Sequence, residues 1–181
     1  MPEEAKPEAI KESSPLPVSK EAAEQALREI AQDPLKALKE ERDILQNQNP
    51  VLSQALDTRY RTSPIEQLPY SQGALFTYRI LRRQAELNGI NLPRVSSDAT
   101  IIYVEDRIKE LKSGNIDQTK AGYNRKLVER VIAEEPELGN AIKEMTKYNP
   151  TKEIFYNGAA DVYFLIKRTL EAKELGKRFG I

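Results

Sequence analysis

The 181-residue chain contains no cysteine, no histidine and no tryptophan. Without cysteine, it has no disulfide framework, no thiolate nucleophile and no Cys-based zinc or iron–sulfur site. Without histidine, Ser-His-Asp catalysis, imidazole metal ligation and the usual pH switch are excluded as well. Any catalysis would have to use carboxylates, lysine, tyrosine, serine or threonine, or a bound cofactor.

Phosphate loops, excess charge of one sign and long apolar runs are also missing. The 8 glycines form no GxGxxG and no GxxxxGK[ST] motif, so the common nucleotide loops are absent. Lys and Arg total 28, as do Asp and Glu, which gives a formal net charge of zero. The longest apolar run, Val162–Ile166, is far shorter than the ~20 residues that span a bilayer.

The acidic start Met1-Pro2-Glu3-Glu4 lacks the basic and apolar regions of a signal peptide. We therefore expect a soluble protein, intracellular or intravirion and not secreted, with no membrane partner. We also expect no metal and no cofactor.

Residues 1–18 differ in composition from the rest of the chain. They contain four prolines among Glu, Lys and Ser, and few large apolar side chains. Such a segment buries too little apolar surface to offset its ordering entropy. The composition predicts a disordered N-terminal arm over 1–18, either a segment that orders on a partner or a solubilising tail, followed by a helical domain over 19–176 and a tail over 177–181.

Proline and glycine mark regular helix boundaries after this arm. Proline follows a residue that can begin a helix at Asp33-Pro34, Asn49-Pro50, Ser63-Pro64, Glu135-Pro136 and Asn149-Pro150. Asp, Asn and Ser accept hydrogen bonds from a first helical turn, and proline suits its first position. Helix ends are indicated at Gly89, Gly114 and Gly176, because glycine adopts the left-handed conformation found there.

Apolar residues between these boundaries recur every three or four positions, which is typical of amphipathic helices. The clearest stripe is Ile101, Val104, Ile108 and Leu111, and we expect it to face the core. Asn157-Gly158 favours a break between helices over a hairpin. The pattern predicts an all-α fold, an irregular domain of about seven to nine helices.

Carboxylates occur in two local clusters, around Glu105 and around Glu135. Both clusters are interleaved with Lys and Arg, which is typical of a solvated helix face. Neither cluster supplies the convergent oxygen ligands that a magnesium site needs. An enzyme that uses carboxylate or lysine chemistry is therefore our third hypothesis, and no catalytic residue is assigned.

Arginines concentrate between residues 59 and 83, against the single acid Glu66. They are Arg59, Arg61, Arg79, Arg82 and Arg83. Arginine among tyrosines is typical of surfaces that bind phosphates and stack on bases. The same arginines can instead pair with acids of the 20–43 region or of a partner, which we favour because the whole chain is neutral.

Aromatic residues gather near the C-terminus, where tyrosine's wet hydroxyl and large apolar area suit an interface. The candidate interface residues are Tyr156, Tyr163, Phe164, Phe179 and Ile181. The alternative is a peripheral core.

From these features we expect a non-enzymatic structural or interaction subunit of a larger assembly, such as a virion or other macromolecular shell. Its partners would be other protein subunits, in an oligomer or hetero-assembly, contacted through the arm and the C-terminal helix. The alternative is a nucleic-acid-associated protein that binds phosphates through Arg59–Arg83.

Overall fold

The computed structural model describes residues 16–59, 64–113, 120–146 and 152–180. Within these ranges the chain forms eight helices and no strand, which confirms the predicted all-α fold. The helices are α1 (Lys20–Gln32), α2 (Pro34–Gln48), α3 (Pro50–Arg59), α4 (Pro64–Leu87), α5 (Ser97–Lys112), α6 (Lys120–Glu134), α7 (Pro136–Met145) and α8 (Lys152–Arg178).

Side-chain caps begin three of these helices. Ser19, Asp33 and Ser96 each accept a hydrogen bond from the backbone N–H three residues further along the chain. Each bond satisfies a donor that has no partner inside the first turn of the helix. At the end of α4, Gly89 adopts a left-handed φ of 68°, and the next N–H donates to the carbonyl of Ala85. The predicted boundaries at residues 33, 49, 89 and 135 are confirmed.

Helices α4 and α8 form the centre of the fold. Helices α1 and α2 pack against α4, α6 packs against α8, and α7 joins α6 to α1. Helices α3 and α5 lie at the edge, with α3 against α2 and α5 against α8. The largest fully buried side chains include Tyr70 and Tyr78 of α4 and Phe155 of α8.

Two glycines bring α4 and α8 into backbone contact. A Cβ atom on Gly73 would lie 2.0 Å from the carbonyl oxygen of Phe155, and one on Gly158 would lie 2.1 Å from that of Tyr70. No Cβ tolerates such distances, so only glycine permits this approach. The predicted break at Asn157-Gly158 is wrong, because α8 continues through both residues and Gly158 serves packing.

Both predicted ends of the helical domain require correction. Leu16 and Val18, predicted to belong to the disordered arm, are buried, and the Val18 N–H donates to a carboxylate oxygen of Glu135 at 2.9 Å. These apolar side chains join the core, whereas residues 1–15 of the arm lie outside the described residues. The predicted stop at Gly176 is also wrong, because α8 continues to Arg178, into the predicted tail 177–181.

The α5 stripe faces away from the core. Ile101, Val104 and Ile108 are 55%, 42% and 46% exposed, while Tyr103 and Arg107 on the neighbouring face are buried. The expectation that this stripe is core is therefore wrong. The side chain of Leu111 lies outside the described ones, as does the predicted stop at Gly114.

Replacement of Gly158 by alanine tests the α4–α8 contact. The added methyl group forces the helices apart, so we expect a loss of roughly 3 kcal/mol of unfolding free energy, the upper end for overpacking. Urea unfolding followed by circular dichroism measures the loss. The exposed Lys173→Ala on the same helix is the control and should change stability by less than about 0.5 kcal/mol. Equal effects of the two substitutions would contradict the contact.

Candidate functional site

The arginines of α4 are paired with acids of the same chain. Arg79 is only 3% exposed, and its Nε lies 3.0 Å from Oε2 of Glu41. Nη2 of Arg82 lies 2.8 Å from the same oxygen. Arg83 Nη2 lies 2.6 Å from Oε2 of Glu29. The structure thus supports pairing with the 20–43 region for these three arginines. Of the other two, Arg61 and the side chain of Arg59 lie outside the described residues.

The contacts of this arginine cluster shift the pKa values of Glu29 and Arg82. Partial burial acts to raise the pKa of Glu29, but the hydrogen bond and positive charge of Arg83, with the charge of Arg79, hold that pKa below its ordinary value. The pKa of Arg82 is raised, chiefly by its hydrogen bond to Glu41. Both shifts favour the charged forms, so the cluster ties α4 to α1 and α2 through ionised pairs.

Of the predicted aromatic interface, one residue is buried, two are half-buried and one is exposed. Tyr163 is buried and its hydroxyl donates to Oε2 of Glu134 at 2.9 Å, so its assignment to an interface is wrong. Phe164 is half-buried with its ring centroid 5.1 Å from that of Tyr163, and Tyr156 is also half-buried. Phe179 is 73% exposed. Ile181 lies outside the described residues.

A cavity of about 590 Å³ lies between α3 and α5, and we call it the α3–α5 groove. Its apolar walls and floor are formed by Val51, Ala55, Leu56, Ile101, Val104, Ile108 and Leu165. The exposed α5 stripe is one wall of this groove, so these side chains line a concave surface. A volume in this range is typical of binding sites, and an apolar groove between helices suits an apolar ligand or helix.

Four buried polar side chains form part of the groove floor. Asp161 accepts a hydrogen bond from the hydroxyl of Tyr70 at 2.8 Å and a second from the hydroxyl of Tyr103. Nη2 of Arg107 lies 3.3 Å from Oδ1 of Asp161, and Arg107 also donates a hydrogen bond to the Tyr103 hydroxyl. The guanidinium lies 4.5 Å from the centroid of the Tyr103 ring. The positive charge of Arg107 and the negative charge of Asp161 therefore compensate each other beneath the apolar walls.

These floor residues were not predicted from the sequence. Tyr103 and Arg107 are four residues apart, on the buried side of α5 next to the apolar stripe. That spacing places them on one helix face, but their partners Tyr70 and Asp161 come from distant helices. In the sequence, the available signal that this face points inward was the presence of Tyr103 and Arg107 together on it.

A second, polar cavity of about 280 Å³ lies among α5, α6 and α8. Its charges are paired, with Arg130 2.9 Å from Glu110 and Lys167 2.9 Å from Glu134. Burial acts to lower the pKa of Lys167, but the hydrogen bonds and negative charges of Glu134 and Glu171 together raise that pKa above its ordinary value. The ion pairs that line this cavity connect the three helices.

The last turns of α8 carry a second exposed apolar stripe, which we call the α8 tip. It consists of Ala172, Leu175 and Phe179. Leu175 is 51% exposed and Phe179 is 73% exposed. The Phe179 N–H donates to the Leu175 carbonyl at 3.1 Å, so helical geometry reaches the end of the stripe.

No group of three or more acids among the described residues is placed to hold a metal ion. In the same part of the chain, no helix has the length and apolar character needed to cross a membrane. Comparison with family models, curated proteins and solved structures finds no match. The inference about function therefore depends on the geometry of the groove, the tip and the arginine cluster.

A double-mutant cycle tests the groove floor. Asp161→Leu removes the partner of a buried guanidinium, so we expect it to cost about 3–5 kcal/mol of unfolding free energy. Adding Arg107→Met removes the unpaired charge and should recover a substantial part of that loss. Urea unfolding of the two single variants and the double variant measures the coupling. Strictly additive losses would show that the two side chains do not interact.

The lowered pKa of Glu29 predicts an acid dependence of stability. A carboxyl with a depressed folded-state pKa contributes stability above its unfolded-state pKa, and that stability is lost as pH falls through the folded-state value. Between about pH 6 and pH 3, Glu29→Gln should therefore lose less stability than the native chain. Chemical unfolding across this range is the measurement, with the exposed Glu24→Gln as control. An unchanged pH slope in Glu29→Gln would contradict the pairing.

Proposed function

We propose that this chain is a non-enzymatic subunit of a larger protein assembly. The observation that carries the proposal is the exposed apolar stripe of Ile101, Val104 and Ile108, which lines a groove. Contiguous exposed apolar surface in a concave site is typical of a place where another molecule binds. The α8 tip is a second such surface, and it agrees with a role for the C-terminal helix in contacts.

A virion or other macromolecular shell inside a cell is the setting we propose for this subunit. Shell subunits bind neighbours through terminal segments, and here the exposed stripe ending at Phe179 lies near the C-terminus. Residues 1–15 provide a second terminal segment for the same use.

Nucleic-acid binding remains the alternative function but gains no support from the described arginines. Arg79, Arg82 and Arg83 each contact at least one carboxylate of the same chain. To bind a phosphate, these arginines would have to release their carboxylates, and the stabilisation of the existing ion pairs would be lost. We therefore favour protein partners, in an oligomer or hetero-assembly.

Substitutions on the groove and the tip test the assembly role. We expect Ile108→Asp, or truncation after Leu175, to lower the mass of the complex that contains this chain, since a charge or a missing phenylalanine weakens an apolar contact. The measurement is size-exclusion chromatography with light scattering on a tagged chain in extracts of cells that make it. Leu35→Asp is the matched control, since Leu35 is 64% exposed on α2. A native chain that elutes as a monomer from the extract would refute the proposal.

A further inference from the structure

Asparagine followed by glycine occurs at two places in the chain, Asn88-Gly89 and Asn157-Gly158. In such a pair the backbone nitrogen of glycine can attack the side-chain carbonyl carbon of asparagine. Glycine has no Cβ atom to hinder this approach, and its backbone adopts conformations that other residues avoid. The two pairs lie in opposite environments, so the fold should decide which of them reacts.

The first pair lies in an open turn. Asn88 is the first residue after α4, and both Asn88 and Gly89 are exposed to solvent. A Cβ atom built on Gly89 would meet none of the described atoms within 4 Å, its chain neighbours aside. The Gly89 N–H donates to the carbonyl of Glu86 at 3.0 Å. Because this bond belongs to the last turn of a helix, which frays, it opens at little cost and exposes the nitrogen.

The second pair lies inside a buried helix. Asn157 is only 4% exposed, and α8 extends on both sides of it, over Lys152–Arg178. Gly158 lies directly against α4, since an added Cβ atom would be 2.1 Å from the carbonyl oxygen of Tyr70. Reaction at this pair requires α8 to unwind next to α4, which costs much of the stability of the fold.

We propose that Asn88 is a site of spontaneous deamidation in the folded chain and that the fold protects Asn157. This modification goes beyond the assembly role. Asn88 lines neither the α3–α5 groove nor the α8 tip, so either proposal can fail without the other.

The reaction consumes one water molecule and releases one ammonia molecule. A base removes the proton from the nitrogen of Gly89, which forms a bond to Cγ of Asn88 while the bond from Cγ to the amide nitrogen breaks. That nitrogen takes up a proton and leaves as ammonia, and a cyclic imide remains. Water then adds to either carbonyl of the imide and opens the ring. One opening gives aspartate, and the other gives isoaspartate, in which the main chain runs through Cβ and Cγ.

Deamidation would act on a connection between α4 and the start of α1. Nε2 of Gln84 donates to Oδ1 of Asn88 at 2.9 Å, and Oε1 of Gln84 accepts from the N–H and the hydroxyl of Ser19, both at 2.8 Å. The aspartate product can still accept from Gln84, whereas isoaspartate adds a carbon atom to the main chain and displaces the carboxylate. Both products place a negative charge at the negative end of the α4 dipole.

The modified chain should therefore unfold more readily. Asn88→Asp reproduces the aspartate product, and we expect it to raise the unfolding equilibrium constant about two- to five-fold. Urea unfolding measures this change. A variant as stable as the native chain would refute the predicted effect of the new charge.

Incubation of the purified full-length chain in heavy-oxygen water tests the site itself. The new carboxylate takes its oxygen from water, so digestion in ordinary water afterwards leaves the label only where deamidation preceded digestion. Mass spectrometry should show labelled aspartate and isoaspartate at position 88. Both should accumulate faster as the pH is raised, because a base removes the proton of Gly89. The peptide that contains Asn157 should keep its amide.

Three controls separate the contributions of glycine, of the fold and of the asparagine. Asn91 is also exposed but precedes Leu92, so it should react far more slowly than Asn88. In urea, where the fold no longer protects Asn157, both Asn-Gly pairs should become labelled at comparable rates. Asn88→Gln, whose longer side chain disfavours ring closure, should remove the label from that position, with circular dichroism as the check that it is folded.

Either of two results would overturn the proposal. If Asn88 keeps its amide as long as Asn91 in the folded chain, but reacts in urea, then the turn after α4 protects it. If Asn157 reacts as fast as Asn88 in the folded chain, then the α4–α8 contact gives no protection.

Discussion

The backbone contact between α4 and α8 at Gly73 and Gly158 is the constraint on which the fold depends. Because these helices touch without side chains between them, the other residues on both have fixed neighbours. On α4, this fixes the face that carries the arginines of the acid-paired cluster. On α8, it fixes Asp161, which holds Arg107 of α5. The α4–α8 contact therefore positions the apolar core, the arginine cluster of α4 and the Asp161–Arg107 pair.

The helical content and most helix boundaries could be predicted because their causes are local. Ser19 and Asp33 cap helices through hydrogen bonds to residues only three positions away. The role of Gly158 could not be read in this way, because the chain that excludes a Cβ there is 88 residues distant, at Tyr70 (158 − 70 = 88). Glycine is used both for turns and for close packing, and only the neighbouring helix distinguishes the two.

Of the candidate site, the sequence predicted the apolar face of α5 but neither the orientation of that face nor the residues of the groove floor. The periodicity of Ile101, Val104 and Ile108 correctly places them on one face, but periodicity cannot say whether that face meets the core or solvent. Here a carboxylate from α8 holds Tyr103 and Arg107, which lie on the neighbouring face. The arginines of α4 show the complementary case, since the acidic 20–43 region suggested their partners.

The length of helix α8 has a mechanical consequence. Its 27 residues form one rod, about 40 Å long at 1.5 Å per residue, with the tip at one end and the glycine contact towards the other. Leu175 and Phe179 are exposed at the tip, so any molecule bound there would load the free end of the rod. That load would be carried along the helix to the backbone contact of Gly158 with α4.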